Sequence, residues 1–208
     1  INKKTLLYAG SSKFCDEFSH LVKIDKAIIE GLLPAMKVIY RPHPWGQCGY
    51  RGDRFKKYNF ENVIFDENMK EYLSRDFSKD YSKFLPKLED TKDLLLKVDF
   101  VLSPLSTILV EAMILGKVPI CLMPENELQA EHYHMVKKSP HFTEILENKE
   151  IIVINGTDSL IECIRVAFND SNSANKSNVL KKDSEFFISK FSKPFNKRLL
   201  ELVEKINY

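Results

Sequence analysis

The sequence predicts an α/β fold in which a parallel β-sheet is flanked by helices on both faces. Short apolar runs recur along the chain, and segments with the apolar spacing of a helix stand between most of them. Hydrophobic residues make up 44% of the 208 residues, which is enough for a buried core and excludes a disordered chain.

In the first half of the chain, the elements follow from apolar runs and the residues that end them. Thr5–Ala9 is predicted as a buried strand, and about Asp16–Leu33 as a helix, because its apolar residues have helical spacing. Lys37–Tyr40 is the second strand. Trp45–Tyr58 has no clear period and is predicted as a basic, aromatic loop before a third strand, Asn62–Asp66.

The second half alternates helix and strand again. The predicted elements are helix Thr91–Lys97, strand Asp99–Leu102, helix Pro104–Leu115, strand Val118–Met123, strand Ile151–Ile154 and helix Asp158–Phe168. Gly116 follows the helix that begins at Pro104, where a glycine commonly ends a helix. We predict one domain over 1–168, a polar linker at 169–181, and a C-terminal helix at 182–208 that Pro194 kinks or breaks.

Charge and cysteine content exclude several classes of protein. The chain has 31 basic and 29 acidic residues, a net charge of +2, so charge alone does not attract nucleic acid or an anionic membrane. The run Arg51–Lys57 could contact nucleic acid, but a solvated loop near a site is the favoured interpretation. No GxGxxG or P-loop motif occurs. The four cysteines form no CxxC pair, which predicts a reducing, cytoplasmic compartment.

Polar side chains follow three of the predicted strands. They are Ser11 and Ser12 after the first strand, Arg41 and His43 after the second, and Ser103, Ser106 and Thr107 after the fourth. Ligands of open parallel sheets bind outside the carboxyl ends of the strands, so we expect these residues to lie at one edge. A helix that starts at Pro104 beside three hydroxyls predicts a phosphate site.

Three of the candidate residues have alternative interpretations. Glu111 lies one helical turn after Thr107 and is either a ligand for a ribose or a solvated helix residue. His43, held between two prolines, either contacts a phosphate and shuttles a proton or bonds a loop carbonyl. Arg41 pairs either with phosphate or with a neighbouring carboxylate. The histidines at 132 and 134 could bind a metal, but ordinary histidines of a surface loop are the favoured interpretation, so no metal is predicted.

Two motifs resemble those of bacterial GT-B glycosyltransferases. The motifs are YRPHP at residues 40–44 and DFVLSPLSTILVEA at residues 99–112, followed by GKVP at 116–119. In combination they resemble the donor half of the capsule and surface-polysaccharide transferases. That group includes polysialyltransferases, Kdo transferases and CDP-glycerol glycerophosphotransferases. The resemblance covers about Lys4–Met123.

The resemblance implies a Rossmann-like nucleotide-sugar-binding domain, one half of a GT-B fold, and assigns roles to individual residues. His43 would be catalytic, while Ser103, Ser106 and Thr107, with Arg41, Ser11 and Ser12, would hold the donor phosphates. Glu111 would bind the ribose, and His141 would make a loop contact before a helix. No DxD motif occurs, which agrees with metal-independent chemistry without a cofactor.

The resemblance also implies partners. The donor would be a CMP-, CDP- or UDP-activated sugar, and the acceptor a glycan or a lipid-linked glycan. We expect a cytoplasmic protein, with peripheral contact at the inner membrane face left open, and an N-terminal acceptor domain that is missing from this chain. A non-catalytic nucleotide-sugar binding module, a sugar-nucleotide epimerase and a glycerol-phosphate polymerase of the same fold stay open as alternatives.

Overall fold

Six parallel strands form the sheet that the sequence predicts. They are β1 (Lys4–Ala9), β2 (Met36–Arg41), β3 (Val63–Phe65), β4 (Phe100–Pro104), β5 (Val118–Met123) and β6 (Ile152–Asn155). This computed structural model describes residues 3–11, 16–44, 53–69, 87–123, 140–156, 158–188, 193 and 195–206. The strand order is β3-β2-β1-β4-β5-β6, and every neighbouring pair is parallel. The predicted fold class, an α/β fold of Rossmann-like order, is confirmed.

Helices connect the strands and continue after β6. They are α1 (Glu17–Ile29), α2 (Asp53–Lys57), α3 (Leu88–Lys97), α4 (Ile108–Ile114), α5 (Pro140–Glu147), α6 (Leu160–Asp170), α7 (Ala174–Phe187) and α8 (Phe195–Ile206). None of the helices that the structure describes is both long enough and apolar enough to cross a bilayer.

The core lies on both faces of the sheet because successive side chains of a strand point to opposite faces. Leu6 and Tyr8 of β1 belong to the larger buried cluster, which includes Leu21 of α1. Leu7 of β1 belongs to the second buried cluster, together with Leu94 of α3. The helices α1 and α3 therefore cover opposite faces of the sheet. Because alternate side chains of β1 contact the two clusters, this strand is buried on both sides.

The chain reverses its direction across the sheet between β1 and β4. From β1 it moves outward through β2 to the edge strand β3, and it then returns to pair β4 with the free side of β1. Such a reversal leaves a crevice at the carboxyl ends of the two strands, since the loops after them diverge to opposite faces. The crevice is the expected ligand position in sheets of this kind.

The basic, aromatic loop predicted at Trp45–Tyr58 is wrong in its second half. Asp53–Lys57 forms the helix α2, and Phe55 is 5% exposed within the larger cluster. Its ring stacks on Tyr40 of β2, with the ring centroids 5.3 Å apart. Burial of an aromatic ring therefore orders this part of the segment, while residues 45–52 lie outside the described residues.

The polar linker predicted at residues 169–181 is also wrong. Most of this segment belongs to α7, which begins after Ser173, whose hydroxyl accepts the Lys176 N–H. Leu180 and Ser184 are buried, four residues apart on one face of α7. The C-terminal helix predicted from Lys182 is instead two helices, α7 and α8, and α7 ends at an extended Ile188.

Candidate functional site

The three predicted polar segments follow three adjacent strands. β2 and β4 both pair with β1, with Ala9 opposite Arg41 and Tyr8 opposite Leu102. Neighbouring strands lie about 4.8 Å apart, so the ends of β2 and β4 are separated by about 10 Å. His43 and Thr107, which follow these two strands, therefore lie at the same edge, on either side of β1.

Arg41 is buried at this edge among carboxylates. Its side chain is 7% exposed, with Nε 3.5 Å from Asp66 Oδ2 and Nη2 donating to Thr91 Oγ1 at 3.0 Å. Nη1 is buried without a hydrogen-bond partner among the described residues. Burial lowers the pKa of Arg41, while the charges of Asp66, Glu111 and Asp90 oppose that shift. The carboxylate partner that the sequence left open is thus present.

His43 is half-buried two residues after β2. Burial lowers the pKa of its imidazole, because the charged form is poorly solvated there. The ring is therefore neutral at neutral pH and has one N–H donor and one acceptor nitrogen. An approaching phosphate would favour the charged form and raise the pKa again.

The helix start predicted at Pro104 is wrong. Pro104 is the last residue of β4, opposite Leu122 of β5, where a missing N–H is tolerated, and α4 begins only at Ile108. Ser103 is buried and shares a hydrogen bond of 2.9 Å with the hydroxyl of Ser106. Thr107 is exposed and makes no side-chain cap bond. The hydroxyls of Ser106 and Thr107 therefore lie in a turn at this edge, and the buried Ser103 hydroxyl bonds that of Ser106.

Glu111 is a half-buried residue of α4 and not a fully solvated one. Its N–H bonds the carbonyl of Thr107 at 3.2 Å, so the two residues lie one helical turn apart, as predicted. Burial raises the pKa of Glu111, and the charge of Arg41 opposes the rise. The carboxylate and the guanidinium thus interact electrostatically across the ends of β2 and β4.

Glu17, the first residue of α1, contacts the loop after β1 and is not among the predicted site residues. The Ser11 N–H donates to Glu17 Oε1 at 2.7 Å, and the hydroxyl of Tyr40 donates to Glu17 Oε2. Burial raises the pKa of Glu17 to about 7. An acidic residue in the first turn of a helix is common at solvated helix starts, so no pattern in the sequence indicates that Glu17 is buried.

Several predicted residues lie outside the described residues. These are Ser12 and the histidines at 132 and 134. His141 was predicted in a loop before a helix, but its backbone lies in the first turn of α5, which begins at Pro140. Within the described parts of the chain, no group of three His, Cys, Asp or Glu side chains is placed to hold a metal ion.

Comparison with known proteins adds one structural similarity. No family model and no curated protein matches the chain. Among solved structures, the chain is similar to the glycotransferase of kitacinnamycin, at 13% sequence identity and a TM-score of 0.47. The similarity covers 88% of this chain and 39% of that one, so the chain spans about two fifths of that protein's length.

Proposed function

We propose that this chain is the donor-binding half of a glycosyltransferase, one half of a GT-B fold. It would bind a nucleotide-activated sugar at the β1–β4 crevice, and the complete enzyme would transfer that sugar to a surface-polysaccharide acceptor. The observation that carries the proposal is the position of Arg41, His43, Ser106 and Thr107 around the point where the strand order reverses. The resemblance of the two motifs to capsule-type transferases supports the same assignment.

The buried guanidinium favours an anionic ligand. A buried N–H without a partner costs about 1–3 kcal/mol, and an accepting phosphate oxygen at Nη1 of Arg41 would recover it. Asp66 Oδ2 lies 3.5 Å from Nε, and the Thr91 hydroxyl accepts from Nη2. Two nitrogens of Arg41 therefore have partners in the protein, and Nη1 would be the one that binds a phosphate oxygen.

The proposed reaction stabilises charge on the leaving group. An acceptor hydroxyl attacks the anomeric carbon and gives its proton to a base of the acceptor domain. The bond from that carbon to the phosphate oxygen breaks, and negative charge develops on the departing nucleotide. Arg41 and the N–H of His43 would stabilise that charge, and the hydroxyls of Ser106 and Thr107 would donate to the phosphate oxygens. Glu111 would accept hydrogen bonds from ribose hydroxyls. The proposed chemistry requires no metal and takes place in the cytoplasm.

Calorimetric titration with CMP, CDP, UDP and GDP tests the proposal. We expect at least one nucleotide to bind, to bind equally with EDTA present, and to bind about tenfold more weakly to Thr107→Val or His43→Gln, the usual scale for one lost hydrogen bond to a charged group. Ser171→Ala is the matched control, because that hydroxyl bonds Lys4 at the opposite edge of the sheet. Absence of binding by all four nucleotides, or equal binding by the Thr107 variant, would refute the proposal.

A further inference from the structure

Glu17 turns its carboxylate back onto the loop that follows β1. As the first residue of α1 it is 0% exposed, and its two oxygens accept the Ser11 N–H and the Tyr40 hydroxyl. Tyr40 immediately precedes Arg41 in β2. The carboxylate therefore connects the loop after β1 to β2, next to the carboxyl ends of these strands.

Gly10 provides the space for this carboxylate. A Cβ at Gly10 would lie 2.6 Å from Oε2 and 2.8 Å from Oε1 of Glu17. The Gly10 N–H donates to the carbonyl of Arg41 at 2.8 Å, which fixes the loop against β2. In sheets of this order, the loop after the first strand and the start of the next helix commonly receive a ligand phosphate. Here the Ser11 N–H of that loop already donates to a carboxylate of the protein.

We propose that Glu17 is a positioning residue whose carboxylate takes the Ser11 N–H, excludes substrate anions from that N–H and directs them to the hydroxyls after β4. The inference rests on the proposed function only for the identity of the natural anion. It assigns the Ser11 N–H to the protein and leaves Ser106, Thr107 and Arg41 as the phosphate contacts.

The exclusion depends on the charge of Glu17. Two unit charges of the same sign about 8 Å apart weaken binding on the order of thirtyfold near a protein surface. Among the described residues, the titratable groups that act on Glu17 include Tyr40 from β2 and Asp16 at the helix start. The ring of Tyr8 in β1 lies against Tyr40, and its hydroxyl bonds His20 of α1 at 2.9 Å. Burial raises the pKa of Glu17 to about 7, so its charge is present above neutral pH and is lost below it.

Sulfate is a suitable probe because its charge stays constant between about pH 6 and 8.5. Its affinity for the wild type and for Glu17→Gln is measured at both pH values at constant ionic strength. We expect the wild type to bind sulfate at least about tenfold more weakly at the higher pH than Glu17→Gln does, and the two proteins to bind nearly equally at the lower pH. His20 and His43 are present in both proteins, so the ratio of the two affinities isolates Glu17.

Asp25→Asn is the matched control. Asp25 is also 0% exposed and accepts the N–H groups of Glu61 and Asn62, just before β3 at the opposite edge of the sheet. This variant should keep the pH dependence of the wild type. If Glu17→Gln does not fold, a variant with both His20→Gln and His43→Gln must still bind sulfate more weakly at the higher pH.

Each outcome decides between the two ideas. A wild-type to Glu17→Gln ratio that is the same at both pH values overturns the role of Glu17, and so does the absence of sulfate binding to both proteins. Loss of the pH dependence in the double histidine variant overturns it as well. Failure of every nucleotide to bind refutes the proposed function instead, since the sulfate titration does not depend on a nucleotide.

Discussion

Individual buried charges decide the chemistry at the edge of the sheet. Arg41 balances its burial with Asp66 on one side and the Thr91 hydroxyl on another. Glu17 receives two hydrogen bonds, which do not compensate for complete burial, and its pKa rises as a result. The two residues thus place a permanent positive charge at the end of β2 and a pH-dependent negative charge at the start of α1.

The raised pKa of Glu17 predicts how stability changes with pH. The unfolded chain loses this proton near pH 4.5 and the folded protein near pH 7, so the folded state binds more protons in between. The free energy of unfolding should therefore fall by about 3 kcal/mol as pH rises through this interval. Urea denaturation at several pH values gives the free energy of unfolding of the wild type and of Glu17→Gln. An identical change of this free energy with pH in the two proteins would contradict the prediction.

The sequence predicts some residues of the candidate site and not others, for a physical reason. The carboxyl ends of parallel strands share an edge, so strand assignments alone bring Arg41, His43 and Ser106 together. Burial of Glu17 depends instead on Tyr40 and on the missing side chain of Gly10, which are distant in the sequence or carry no signal of their own.

At the scale of elements, α7 shows how composition misleads. The segment at residues 169–178 is rich in Asn and Ser, as linkers are, but Ser173 caps a helix there. The helix is then stabilised by tertiary packing, since Leu180 lies in the larger core cluster and α7 packs on α4. Helix propensity is a weak guide wherever packing of this kind is available.

Substitution of two glycines distinguishes the effect of packing against α7 from the effect of backbone strain. Gly116 and Gly31 both follow helices with positive φ, of 69° and 73°. A Cβ at Gly116 would collide with Ser177 and Lys181 of α7, whereas a Cβ at Gly31 meets nothing within 4 Å. We expect Gly31→Ala to lower the free energy of unfolding by about 1–2 kcal/mol, and Gly116→Ala by clearly more. Equal losses in chemical denaturation would show that α7 is not packed against Gly116.

Across the whole molecule, the sequence predicts the sheet but not its order. The apolar runs identify all six strands, whereas the position of β4 beside β1 depends on the direction in which each connection crosses the sheet. The apolar residues of the two C-terminal helices also differ in their packing. Phe187 packs against the core, while Leu199 and Val203 of α8 are each 47% exposed.

Shortened chains test where the folded unit ends. A chain that ends at Ile188 loses only α8 and should keep a cooperative melting transition close to that of the wild type. A chain that ends at Ser173 also loses α7 and with it the fully buried Leu180, so it should melt far lower or not fold. Thermal melting followed by circular dichroism compares them, and equal stability of the two chains would restore the linker interpretation.

The central place of β1 has a consequence for synthesis of the protein. The ribosome completes β2, which ends at Arg41, well before it reaches β4, which begins at Phe100. At about 5–20 residues per second, one side of β1 lacks its neighbour for several seconds while its apolar side chains are already made. During this time the unpaired side of β1 is an open sheet edge, which a chaperone or a second nascent chain would recognise.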